Sequence, residues 1–100
     1  MGKQVIADVK IIPLGTGTTS LSRYVKACTV ILREAKDITF QTTAMGTIIQ
    51  GPLGRVLELV RQMHEIPFTM GSQRVLTTVT IDDRRDKEAT IESKVRAVTG

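Results

Sequence analysis

The chain has 100 residues, 41% of them apolar, with one tyrosine, two phenylalanines and no tryptophan. That length is expected to give a single domain, residues 1–100, hiding about two thirds of its unfolded surface around an aliphatic core. The net charge of +4 is spread over 14 basic and 10 acidic residues. It forms no block of like charge and is not interleaved with aromatics, so the chain is not expected to bind nucleic acid.

A single cysteine, Cys28, leaves no internal disulfide and no cysteine-cluster metal site, and it suits a reducing, cytoplasmic setting. The opening MGKQVIADVK has too short an apolar run for a secretory signal and lacks the hydroxyl residue of a myristoylation signal. No stretch approaches the roughly 18 apolar residues of a membrane span. A soluble, intracellular protein without membrane contact is expected.

In residues 5–14, Val5, Ala7, Val9 and Ile11 alternate with Ile6, Asp8, Lys10 and Ile12, the period of a strand; Pro13 ends it. From Ser20 the period changes. Leu21, Tyr24, Val25, Cys28, Ile31, Leu32 and Ala35 repeat at helical spacing over about four turns. Cys28 lies in that apolar stripe and reads as a small buried hydrophobe.

Two short β-type runs follow, near residues 39–43 and 47–51, hinged around residues 44–46 as a hairpin. Pro52 and Gly54 precede a second helix, in which Leu53, Val56, Leu57, Val60 and Met63 keep helical spacing until Pro67; IPFTMGSQ reads as loop. Residues 74–82, RVLTTVTID, are β-branched and alternating, a fourth strand. After DDRRDK, Ile91, Val95 and Val98 mark one face of a third helix.

The order β-α-β-β-α-β-α predicts an α+β fold. It is a ferredoxin-like βαββαβ sandwich with an antiparallel four-stranded sheet and an additional C-terminal helix. A different α+β sandwich of the same element order is the alternative. Two helices cover one sheet face only. Yet Ile11 beside Ile12, Ile48 beside Ile49, and Val75 beside Leu76 must point to opposite faces. The second apolar row predicts self-association through the sheet into a dimer or a dimer of dimers, with the third helix covering part of it.

Four stretches could carry chemistry. PLGTGTTSLSRYV, residues 13–25, has the look of a phosphate loop but fails both tests. Ser20 stands where a dinucleotide fingerprint wants its third glycine, and no lysine follows as in a P-loop. Gly15 and Gly17 permit a turn and Thr19 or Ser20 could cap the helix, while the remaining hydroxyls could meet a polar ligand group. In AMGTIIQG a hairpin turn explains Gly46; Met45 could be a flexible wall and Thr47 a hydroxyl turned into a cleft.

His64 has no second histidine for a metal site and no evident nucleophile to serve; it reads as a helix C-terminal residue favoured by the dipole. DDRRDK puts three carboxylates and three cations in six residues. It reads as an ion-pair network, with Asp83 or Asp86 near the start of the last helix.

Taken together, PLGTGTTSLSRYV, MGTIIQG, the histidine ending the second helix, RVLTTVTIDDRRDK and KVRAV occur in an order and spacing similar to the small thiamine-binding protein family related to YkoF. The resemblance spans residues 5–98. It implies a ferredoxin-like fold with an extra C-terminal helix, assembled into dimers and tetramers. It further implies a non-enzymatic binder of thiamine or its hydroxymethylpyrimidine portion, with no cofactor, no catalytic residue and no metal. By position, the implied ligand-binding residues are Gly15, Thr16, Ser20 and Ser22 from the first motif and Met45, Gly46 and Thr47 from the second. A structural or regulatory interaction module without a small ligand is the alternative function.

Overall fold

The computed structural model describes residues 4–15, 17, 21–86 and 90–99. In chain order its elements are β1 (Gln4–Leu14), α1 (Ser22–Glu34), β2 (Thr39–Thr42), β3 (Thr47–Pro52), α2 (Leu53–Thr69), β4 (Arg74–Asp82) and α3 (Ile91–Thr99). The strands form one antiparallel sheet in the order β2-β3-β1-β4. This is the ferredoxin-like arrangement that the element order predicts, with α3 appended.

Strand alternation decides what is buried. Val5, Ala7 and Val9 of β1 and Ile49 of β3 face α1 and α2 and form the core with Cys28, Leu32, Val56, Leu59 and Met63. Each buried Val or Leu there contributes about 1.5–3 kcal/mol through the water it sheds. The intervening residues project from the opposite face. There Ile12 and Leu76, cross-strand partners between β1 and β4, remain 36% and 51% exposed. The doublets Ile11–Ile12 and Ile48–Ile49 split between the two faces as their spacing requires.

α3 reaches only one end of that open face. The Ile91 amide donates to Gln50 Oε1 at 2.9 Å, and Lys94 pairs with Asp82 at 2.5 Å. None of its residues is buried, and Val95 and Val98 stay 53% and 88% exposed. Its start is fastened by Thr90 and Ser93, each side-chain oxygen accepting the other's amide, a reciprocal cap. Asp83 and Asp86 do not serve there. They pair locally with Arg85 and Arg84 at 2.8 and 2.6 Å, and the Arg85 hydrogen bond holds the Asp83 carboxyl below its usual range.

Two helix ends depart from expectation. The residue preceding α1 is Leu21, with no side-chain cap; Thr19 and Ser20, the expected caps, lie outside the described residues. α2 continues past Pro67 to Thr69. A proline inside a helix removes the N–H that would bond the carbonyl four residues earlier, here that of Met63. Cys28 Sγ supplies a replacement, donating to the Met63 carbonyl at 3.7 Å. The turn then closes through Ser72 N–H to the Pro67 carbonyl at 2.9 Å, with Gly71 at a φ of 101°.

His64 is also placed differently from the sequence reading. It lies within α2 rather than at its end. Its Nδ1 is 2.7 Å from Thr77 Oγ1 on β4, and its ring meets Phe68 edge-on at 5.5 Å. The contact ties helix to sheet.

Candidate functional site

The strands differ in length, and that difference opens a cleft. β1 has 11 residues and β3 only 6, and their pairing stops at Val9 opposite Thr47. Beyond Val9, β1 is paired by β4 alone, up to Leu14 opposite Arg74. The missing β3 partner leaves a notch in the sheet, which α1 roofs on the helix side.

Val9, Ile11, Leu21, Tyr24, Cys28 and Met63 line this notch together with residues 42–47 of the hairpin, enclosing about 350 Å³. The volume falls within the range of small-molecule sites, about 300–1,000 Å³. The wall is mainly apolar. Lys10 is its one charged residue among those described, and its ammonium is engaged by Asp8 at 2.8 Å. The Thr47 hydroxyl has no hydrogen-bond partner among the described residues.

The hairpin tip is held by a residue that sequence reasoning passed over. Thr43 N–H donates to the Gly46 carbonyl at 2.8 Å, and its hydroxyl donates to the same carbonyl at 3.0 Å. That hydroxyl also accepts from the amides of Met45 and Gly46 at 3.2 and 3.1 Å, a side-chain mimic of a backbone turn. Gly46 is not required by a left-handed conformation, since the positive-φ glycines are Gly15, Gly17 and Gly71. Close approach requires it. A Cβ there would fall 2.7 Å from the Val9 carbonyl oxygen.

The second motif therefore converges, with Met45, Gly46 and Thr47 all lining the cleft. Met45 is 77% exposed at the rim. The first motif divides. Its apolar members Leu21 and Tyr24 enter the cleft, whereas Ser22 lies in a neighbouring shallow groove that shares Val25 and Thr42 with it. Gly15, at a φ of 69°, forms the turn after β1 and is not part of the lining; Thr16 and Ser20 lie outside the described residues. A wider groove of about 700 Å³ runs between α3 and β2, but it is open and belongs to the loosely seated third helix.

Burial pushes the Cys28 thiol up to about 11, so it stays protonated at neutral pH and acts as a hydrogen-bond donor instead of a nucleophile. Among the described residues no group of three or more His, Cys, Asp or Glu could hold a metal ion. Nor is any described helix long and apolar enough to cross a membrane.

The structure is thus a ferredoxin-like sandwich with a mainly apolar notch of ligand-like volume beside its hairpin. The chain belongs to the thiamine-binding protein family, whose model matches residues 7–99. It is 47% identical over 97 residues to the UPF0045 protein YqgV of Bacillus subtilis, covering 93% of this chain and 92% of that one. Among solved structures it is similar to the hypothetical protein MJ1052 of Methanocaldococcus jannaschii, with a TM-score of 0.86, 38% identity and 96% of each chain covered. A domain of unknown function from Bacillus cereus has the same fold, with a TM-score of 0.81 at 22% identity, covering 93% of this chain and 88% of that one.

Proposed function

We propose that the chain is a non-catalytic, homo-oligomeric binder of thiamine or a thiamine-like hydroxymethylpyrimidine, seated in the notch between α1 and the β2–β3 hairpin. The observation that carries this reading is the cleft itself, an apolar slot whose wall holds the Thr47 hydroxyl with no hydrogen-bond partner among the described residues. Family membership supports the ligand class. A flat aminopyrimidine needs such a slot with a few donors and acceptors. Met45 supplies a flexible, polarisable wall and Thr47 a hydrogen bond. Of the first motif, Ser22 is assigned to the approach to the cleft, in the groove that adjoins it; Gly15, Thr16 and Ser20 stay candidates for the same ligand, Thr16 and Ser20 lying outside the described residues. Among the described residues no carboxylate lines the cleft, so the cationic thiazolium half is assigned to its mouth, in contact with water.

The protonated Cys28 thiol supports a binding role over a covalent one. Its free state also fits a reducing cytoplasm. Self-association is supported by the open sheet face with Ile12 and Leu76, and by the exposed Val95 and Val98 of α3. An apolar area of this kind, rimmed by polar residues, is expected at a subunit contact. A dimer of dimers would cover both.

Calorimetric titration with thiamine, its phosphates and hydroxymethylpyrimidine is expected to give saturable heat with a Kd below about 1 mM. Thr47→Ala is expected to weaken binding about 3- to 10-fold, the worth of one neutral hydrogen bond. Absence of heat for the whole panel would overturn the binder reading in favour of a ligand-free interaction module. Turnover of any of these ligands would overturn its non-catalytic part.

A further inference from the structure

We propose that Tyr24 sets the specificity of the cleft: its phenol, beside an open peptide edge at Ile11, reads the hydrogen-bonding edge of a neutral planar heteroaromatic ring. The inference rests on the binder reading above and names the groups that would select the ring.

Tyr24 is only 6% exposed and lines the cleft, yet its hydroxyl has no hydrogen-bond partner among the described residues. No sealed-off side-chain nitrogen or oxygen among those residues lacks a partner, so the phenol oxygen is not wholly closed off from solvent. A phenol this enclosed ordinarily finds a partner, because burying it unpaired forfeits its bonds to water. The ring is held in place before any ligand arrives. The Arg23 guanidinium sits 5.3 Å from its centroid and is anchored by donation to the Met70 carbonyl at 3.2 Å.

The second group follows from strand geometry. The Val9 carbonyl oxygen faces Gly46, so Val9 directs its peptide groups toward β3. Residues two apart on a strand direct theirs to the same side, which aims the Ile11 N–H and C=O the same way. β3 has ended there, since its last partner on β1 is Val9. Ile11 thus offers one donor and one acceptor to the notch. The next residue on that edge, Pro13, has no N–H to leave unpaired.

Phenol, amide and carbonyl make an uncharged array, and the only charged side chain in the lining among the described residues is already paired. An ion would lose its hydration without gaining a counter-charge. A neutral ring bearing both donors and acceptors, such as a 4-aminopyrimidine, matches the array.

Tyr24 is the only tyrosine and tryptophan is absent, so intrinsic tyrosine emission reports this residue alone. Titration of the full chain with thiamine is expected to change that emission along the same curve as the calorimetric heat. Tyr24→Phe keeps the ring and its contact with Arg23, so its thermal unfolding should match that of the wild type. Its affinity for thiamine is expected to fall about 3- to 10-fold. The preference for thiamine over oxythiamine, in which a carbonyl replaces the 4-amino group, is expected to shrink by a similar factor. If the wild type binds thiamine while the emission stays constant and Tyr24→Phe binds equally well with the same preference, the Tyr24 proposal is overturned and the binder reading stands. Absence of both heat and emission change across thiamine and hydroxymethylpyrimidine would overturn the binder reading, and the role of Tyr24 with it.

Discussion

Gly46→Ala is expected to abolish most ligand binding and to lower thermal stability, although it adds a single methyl group at an exposed hairpin. The new Cβ would lie 2.7 Å from the Val9 carbonyl oxygen and 3.1 Å from Lys10 Cγ. The lysine side chain can move aside; the carbonyl belongs to a central strand and cannot. The hairpin tip must therefore lift from β1, loosening the Val9–Thr47 pair and carrying Met45 and Thr47 away from the cleft. Overpacking of this kind costs about 1–3 kcal/mol, and displacement of the hairpin wall is expected to weaken thiamine binding at least about tenfold. Gly54→Ala is the matched control, because nothing lies within 4 Å of its added Cβ and alanine is the better helix former. Melting curves and titration of both variants test the expectation. Equal behaviour of the two would remove the hairpin from the site.

Leu76→Asp is expected to convert the proposed oligomer into monomer without unfolding the subunit. Leu76 is 51% exposed on the sheet face away from α1 and α2, so within one subunit the carboxylate would stay in water. In a sheet-to-sheet contact around a two-fold axis it would be buried twice without a cation, at a cost of several kcal/mol. Light scattering after size exclusion should then give about the 11.0 kDa of one chain, with an unchanged far-ultraviolet spectrum. A wild type that already runs as a monomer at micromolar concentration would sink the assembly. A variant that remains oligomeric would move the contact to another surface, with the exposed valines of α3 the next to test.

The sandwich was legible because each strand and helix states its period twice, once in what it buries and once in what it shows. Ile48–Ile49 and Ile11–Ile12 even announced that both sheet faces carry apolar side chains. α2 was harder to delimit. Pro67 reads as a stop in sequence, and only the proximity of Cys28, distant along the chain, shows how the helix tolerates it. His64 reads as a helix-end residue for the same reason, because a stop at Pro67 hides the last turn of α2, which runs to Thr69.

The cleft was half legible. Met45, Gly46 and Thr47 stand together on its wall, although Gly46 is there for proximity to β1 and not for turn geometry. Tyr24 and Leu21 read as core in sequence because helical periodicity identifies the inward face of α1. It does not reveal where the core beneath that face gives out. That limit is set by the strands, since β1 outruns β3, and comparing their lengths is the sequence signal that points to the notch.

The Cys28–Met63 contact makes residue identities at two positions, 28 and 67, interdependent. Proline at 67 withdraws a donor from the Met63 carbonyl, and Cys28 returns one from across the helix pair. Position 28 is thus constrained to a small side chain with a hydrogen to donate for as long as 67 is proline. A serine there would be tolerated where an alanine would leave the carbonyl unmatched. Relatives with an ordinary amide at 67 are released from that rule. Substitutions at 28 and 67 should therefore track one another through the family's history, a correlated pair of which Cys28 also lines the candidate cleft.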